Sequence, residues 1–253
     1  MAIPPAPPPH RGIEADITTR TETTETGFRT VDTVLFDLDG TLVDTLDDIV
    51  RAVNTALRDH GLPTLSRAEV RDRVGEGGTA LVDASVRKSG RAVGPAVVAR
   101  AQEAYLTGYA ASPAEDSRPY PGAAALLERL RAAGVRTALC TNKAGGVTGE
   151  LLKALHLDGC FDAVVTGDGP AGRKPSPEPL HHALKLAGGT AGLMVGDSRH
   201  DLAAARAASM PAAWVSFGYG RPGPAQAPDL ELSRLDALES TARTVRIQFH
   251  AIR

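Results

Sequence analysis

Aromatic side chains are scarce in this chain. They make up 4% of its 253 residues, so a core has to be assembled from Ala, Val and Leu, which the 42% apolar content is large enough to supply. Cysteine is scarcer still: Cys140 and Cys160 are too few for a disulfide framework, and neither falls in a CxxC pair or a zinc-ligand spacing. The expected compartment is a reducing cytoplasm. No apolar run approaches the roughly 20 residues that span a bilayer. An excess of either charge is also missing, because 28 Lys and Arg stand against 30 Asp and Glu for a formal net charge of -2. That balance argues against nucleic acid or an anionic membrane as the principal partner and favours a small molecule. The first 27 residues are Pro-rich and then Thr/Glu-rich without the apolar stretch of a secretory signal, so they read as a disordered leader.

What the chain does have is concentrated near Val34 to Val43, VLFDLDGTLV. Val34, Leu35 and Phe36 read as a buried strand and Gly40 is the first punctuation after it, which puts Asp37 and Asp39 at the strand's carboxyl end. In an extended segment those two carboxylates face the same side and Leu38 faces away. One can then attack or bind metal while the other handles protons, and two acids in one mouth call for a cation between them.

After this strand the pattern turns helical. Asp47 to Leu57, Ala80 to Val86 and Val97 to Tyr109 carry apolar residues at helical spacing, and Ser66 followed by Glu69 has the form of a capping box. Pro113, Pro119 and Pro121 mark a return crossing, so hinges are expected near Thr45 and between Ser112 and Pro121. From Gly122 onward helices near 123–133, 147–155, 177–187 and 201–208 alternate with strands at 135–140, 163–166, 193–195 and 212–216. Such alternation predicts an α/β fold with a doubly wound, parallel, Rossmann-like sheet. The expected division is a leader over 1–27, a catalytic core from 28–45 and 117–253, and a helical cap over 46–116. Arg221 to Pro228 reads as a loop, and Thr244 to Phe249 as a terminal strand or a packing tail.

Further motifs follow in order: Cys140-Thr141-Asn142 closing one predicted strand, then Arg173-Lys174-Pro175-Ser176-Pro177, then Gly196-Asp197-Ser198-Arg199-His200-Asp201 closing another. Together with Asp37-Leu38-Asp39-Gly40-Thr41 they resemble the four motifs of the haloacid dehalogenase-superfamily phosphatases, over roughly Val31 to Val215. The insert after the first strand resembles that superfamily's type-one cap. The resemblance implies that Asp37 attacks phosphorus and becomes an aspartyl phosphate, and that Asp39 protonates the leaving alcohol and later deprotonates water. Thr141 and Lys174 would hold phosphoryl oxygens. Mg2+ would sit on the Asp37 carboxylate, the Asp39 backbone carbonyl and the Asp197 carboxylate, with Asp201 orienting metal-bound water or Lys174 from behind. Asn142 is a further donor to phosphate.

In the insert, Arg73 to Val82 is similar to the substrate loop of bacterial phosphoglycolate phosphatases, which makes Arg73, Gly75, Gly77 and Gly78 candidates for binding a small carboxylate at a helix start. The expected function is hydrolysis of a small phosphorylated metabolite, 2-phosphoglycolate first. Sugar or nucleotide phosphatases, a phosphosugar mutase and a regulatory protein on a hydrolase scaffold are the rivals. A phosphonate-cleaving relative would need a cap lysine, and the insert holds only Lys88, in a segment expected to be exposed. Cys140 is expected to pack rather than react, and His181, His182 and His200 show no ligand spacing. Monomer and homodimer both remain open.

Overall fold

Thr33 to Phe36 are all buried, and the molecule is organised on this strand. Val34 and Phe36 enter one apolar cluster while Leu35 enters another, so the strand is covered on both faces, as strands of parallel sheets are. The computed structural model describes residues 26–223, 227–238, 240–241 and 244–250.

In chain order, β1 (Thr26–Val31), β2 (Thr33–Phe36) and β3 (Val43–Asp44) lead into four helices: α1 (Leu46–Asp59), α2 (Arg67–Arg71), α3 (Gly78–Ser89) and α4 (Pro95–Ala111). The chain returns through β4 (Arg118–Pro119), which pairs antiparallel with β3 to form a two-stranded ribbon at the crossing. Then follow α5 (Ala123–Ala132), β5 (Arg136–Cys140), α6 (Gly145–Ala154), β6 (Ala163–Val165), α7 (Glu178–Leu186), β7 (Gly192–Gly196), α8 (Arg199–Ala207) and β8 (Ala212–Val215). The described chain ends with β9 (Leu230–Leu232), β10 (Ser240–Thr241) and β11 (Thr244–His250).

The main sheet has six parallel strands in the order β6-β5-β2-β7-β8-β9. Leu126, Leu127 and Leu130 of α5 pack on the Val34 face. Leu180 and Ala183 of α7, with Leu202 and Ala204 of α8, pack on the Leu35 face. This is the doubly wound α/β core that the strand and helix alternation predicts. A separate apolar cluster joins Ile49, Val53 and Leu57 of α1 to Leu81 and Val82 of α3 and to Tyr105 and Tyr109 of α4, and Val147 of α6 reaches into it from the core. Among the described residues, no helix is long and apolar enough to cross a membrane.

Several details differ from the sequence expectations. β1 begins at Thr26, inside the segment assigned to the leader, and residues 1–25 lie outside the described residues. Because β1 pairs antiparallel with β11, the helical insert follows the second strand of the chain, which is the first of the parallel sheet. The 244–249 segment is thus a strand, stabilised by a partner more than 200 residues away that no local pattern reveals. β9 adds a sixth parallel strand too short to carry an alternation signal. The capping box is formed: Ser66 Oγ accepts from Glu69 N, and Glu69 Oε2 accepts from Ser66 N.

Candidate active site

Strand order reverses at β2, with β5 on one side and β7 on the other. Open α/β sheets bind ligands in the crevice beyond the strand ends at such a point. Asp37 leaves β2 there, its N–H donating to Val195 O at 2.9 Å, while Thr141 leaves β5 and Asp197 leaves β7. All three are buried. Gly40 closes the turn at φ +81°, and a Cβ on it would lie 2.5 Å from Asp197 Oδ2. Only glycine lets this turn pass beside the carboxylate.

Asp37, Asp197 and Asp201 each offer a carboxylate oxygen within 4.8 Å of the others. Lys174 is buried with them, its Nζ 2.6 Å from Asp201 Oδ1, 3.0 Å from Asp37 Oδ1 and 2.7 Å from Cys140 O. Burial would lower its pKa, but Asp201 and Asp37 outweigh that and push it up, so Lys174 is a fixed positive charge. Asp201 Oδ2 accepts from Ser198 N and Ser198 Oγ, which fixes the carboxylate that in turn fixes Lys174.

One lysine does not neutralise three acids. Burial, with repulsion from Asp201 and Asp39, pushes Asp37 up to about 6 against the pull of Lys174. Burial, with repulsion from Asp201 and Asp37, pushes Asp197 up to about 8 although Tyr219 and Gly220 N–H groups bond its Oδ2. Asp37 Oδ1 has no hydrogen bond of acceptable geometry, Lys174 standing close but misaligned. A buried oxygen without a hydrogen bond, in a crowd of acids that one ammonium does not balance, fits a hard divalent cation with oxygen ligands.

The carboxylate of Asp39 points into different surroundings from that of Asp37. Its Oδ1 accepts from Thr45 Oγ1 at 2.7 Å and from Lys143 Nζ at 2.9 Å, and its Oδ2 from the same Nζ at 3.2 Å. Of the expected metal set, the structure brings the Asp37 and Asp197 carboxylates together, with Asp201, expected behind them, as a third acid within the same reach. Thr141 lines the pocket beside Asp37 and Asp39. The side-chain amide of Asn142 is engaged within the protein: its Nδ2 donates to Gly75 O and Lys174 O, and its Oδ1 accepts from Lys174 N. It stitches the Gly75 loop to the Lys174 turn, a use invisible in sequence because both partners are backbone groups far along the chain.

Arg73, Gly75, Gly77 and Gly78 line the same pocket from the helical insert, and Arg73 Nη1 donates to Glu69 O. Lys143, which the sequence reading passed over, is buried between Asp39 and the hydroxyl of Tyr109 on α4, 3.0 Å away. A signal for it existed. The chain has five lysines against 23 arginines, and two of the five, Lys143 and Lys174, occupy this site. Burial pushes the Cys140 thiol up to about 12, so it stays protonated and packs in the core. Lys88 is exposed and pairs with Glu69 at 2.9 Å.

Residues 34–215 match the model of the haloacid dehalogenase-like hydrolase family. The chain is 41% identical over 194 residues to a phosphoglycolate phosphatase of Rhodospirillum rubrum, covering 74% of this chain and 80% of that protein. To a phosphoglycolate phosphatase of Mesorhizobium japonicum it is 36% identical over 222 residues, 86% of this chain and 98% of that one. The crystal structure of CbbY from Rhodobacter sphaeroides in complex with phosphate superposes with a TM-score of 0.74 at 26% identity, covering 84% of this chain and 98% of that chain. The chain belongs to the haloacid dehalogenase-like hydrolase family.

Proposed function

We propose that this haloacid dehalogenase-like hydrolase is a Mg2+-dependent phosphomonoesterase working through an aspartyl phosphate on Asp37, with 2-phosphoglycolate as its substrate. The observation that carries the reading is the convergence of Asp37, Asp197, Asp201 and Lys174 at one strand-end crevice, with Asp39 beside them in separate surroundings. Phosphoryl transfer needs positive charge on the non-bridging oxygens before an anionic nucleophile can approach.

Asp37 and Asp197 would hold the metal, with Asp201 adjoining them, and the metal when bound supplies charge neutralisation at the phosphoryl oxygens. Lys174, fixed by Asp201 and Cys140 O, adds a point charge that cannot swing away. Thr141 contributes a hydroxyl donor. An Asp37 oxygen forms the bond to phosphorus as the bond to the ester oxygen breaks, and Asp39 delivers a proton to that oxygen. Water then attacks phosphorus, Asp39 takes its proton, and Asp37 is released with inorganic phosphate. The two carboxylates stand in different surroundings, the Asp197, Asp201 and Lys174 cluster around Asp37 and the Thr45 hydroxyl and Lys143 ammonium around Asp39.

The helices over 46–116 act as a cap on the core assigned to 28–45 and 117–253. Their residues Arg73, Gly75, Tyr105 and Tyr109 line a cavity beside Asp37 and Asp39 together with Thr141 and Lys143. The relatives named phosphoglycolate phosphatase support the choice of 2-phosphoglycolate. The test is phosphate release from a panel of small phosphorylated acids, sugars and nucleotides, with Mg2+ and with excess chelator. The expected result is a preference for 2-phosphoglycolate that chelator abolishes, and no turnover by a folded Asp37→Asn variant. Full activity in that variant would remove the covalent mechanism. Efficient turnover of a sugar or nucleotide phosphate alone would remove the substrate.

A further inference from the structure

We infer that Lys143, held where core meets cap by Asp39 and Tyr109, is the specificity residue that takes the carboxylate of the substrate. The inference rests on the phosphoglycolate reading above. It starts from a constraint of the substrate's own chemistry. In 2-phosphoglycolate the carboxylate carbon is two bonds from the ester oxygen, and the ester oxygen is the atom that Asp39 protonates. A group that recognises the carboxylate must therefore lie beside Asp39 rather than deep in the cap.

Two cationic side chains line the pocket, Arg73 and Lys143. Arg73 has one guanidinium nitrogen committed to the carbonyl of Glu69 in α2, 2.7 Å away. Lys143 Nζ is bonded to Asp39 itself, at 2.9 Å to Oδ1 and 3.2 Å to Oδ2, and to the Tyr109 hydroxyl at 3.0 Å. The ammonium also lies 4.3 Å from the centroid of the Tyr109 ring, which favours a cation there. The longer bond, to Asp39 Oδ2, is the one a substrate carboxylate displaces. A compact ammonium on a flexible stem suits an exchange of partners within one site better than a planar guanidinium does. In a chain that uses arginine for most of its positive charge, lysine at this buried position has a chemical reason.

The placement also explains how the cap takes part. Tyr109 belongs to α4 and packs against Tyr105, 5.9 Å between ring centroids, so the cation is seated by one residue from the core and one from the cap. Closure of the cap and recognition of the carboxylate then depend on the same ammonium. The glycine loop is held to the core separately, through Asn142 and Gly75 O.

The experiment compares kcat/KM for 2-phosphoglycolate with that for 2-hydroxyethyl phosphate, which replaces the carboxylate by a neutral hydroxymethyl group, in wild type, Lys143→Met and Lys143→Arg. Loss of a charge-assisted contact should reduce the preference for the anionic ester by roughly 10- to 100-fold in Lys143→Met, mainly through KM. Lys143→Arg, which keeps the charge, should retain more of the preference. Glycolate should inhibit hydrolysis of the neutral ester by wild type and do so more weakly in Lys143→Met. If circular dichroism shows that the Met variant does not fold, Lys143→Gln provides the same comparison. An equal loss on both esters, falling on kcat, would overturn the inference and reduce Lys143 to a positioning residue for Asp39. A wild-type preference that survives in the variant overturns this inference alone. A wild-type enzyme that hydrolyses phosphate esters without preferring the anionic one overturns the substrate reading and this inference with it.

Discussion

Asp37 and Asp197 hold protons more tightly in the folded protein than in an unfolded chain, where an aspartate titrates near its ordinary value of 3.8. In both, burial leads and neighbouring carboxylates add to it. The sign of the linkage follows. Relative to acid, the metal-free fold loses stability as pH rises from about 4, where the unfolded chain ionises, through about 6 and about 8, where the folded groups do. A divalent cation that binds the ionised carboxylates opposes this loss. Thermal denaturation between pH 5 and 8.5, in Mg2+ and in chelator, should therefore show a Tm gain from Mg2+ that grows with pH. A gain that is the same at every pH would mean that these acids are not the metal's ligands.

At the scale of elements, the buried carboxylate of Asp48 joins α1 to the return crossing. Its Oδ2 accepts from Asp116 N at 3.1 Å, Ser117 N at 2.7 Å and Ser117 Oγ at 2.6 Å, while Arg51 pairs with Oδ1. Burial would raise its pKa, and the bonds from Ser117 and Arg51 outweigh burial and lower it. Asp48→Ala strips four donors of their acceptor at once and should lower stability by about 3 kcal/mol, the range for breaking a buried charged network. Urea denaturation at neutral pH measures it, and a loss below about 1 kcal/mol would mean that water replaces the carboxylate. Helical periodicity placed α1 in the sequence. It could not show that a polar position of that helix has a partner 69 residues away.

At the scale of the whole molecule, Tyr219 connects the acid cluster to the start of the helical insert. Its N–H donates to Asp197 Oδ2 at 2.8 Å, and its hydroxyl donates to Asp44 Oδ1 while accepting from Thr45 N and Leu46 N. Thr45 stands at the N-cap of α1 with its own hydroxyl donated to Asp39, and the tyrosine hydroxyl supplies an acceptor for the first two amides of the helix start. Tyr219→Phe should cost about 1 kcal/mol and speed hydrogen exchange at Thr45 and Leu46. Unchanged exchange at those two amides would show that the helix start is satisfied without the hydroxyl.

The sequence by itself determined what depends on neighbours along the chain. Apolar runs placed β2, β5 and β7, and the groups that must sit at strand ends, Asp37, Thr141 and Asp197, could be read from those runs. The capping box at Ser66 and Glu69 and the helical insert were legible for the same reason. Tertiary structure alone decided which charges meet. Lys143 on Asp39, Asn142 on Gly75 and Lys174, Asp48 on Ser117, Tyr219 on the start of α1 and β1 on β11 are contacts between segments separated by tens to hundreds of residues. Side-chain periodicity reports which face of an element is buried, but not what stands opposite it. That is fixed by the order of strands in the sheet and the seating of the cap, where the favourable energy of each polar contact arises only once water has been excluded from both partners.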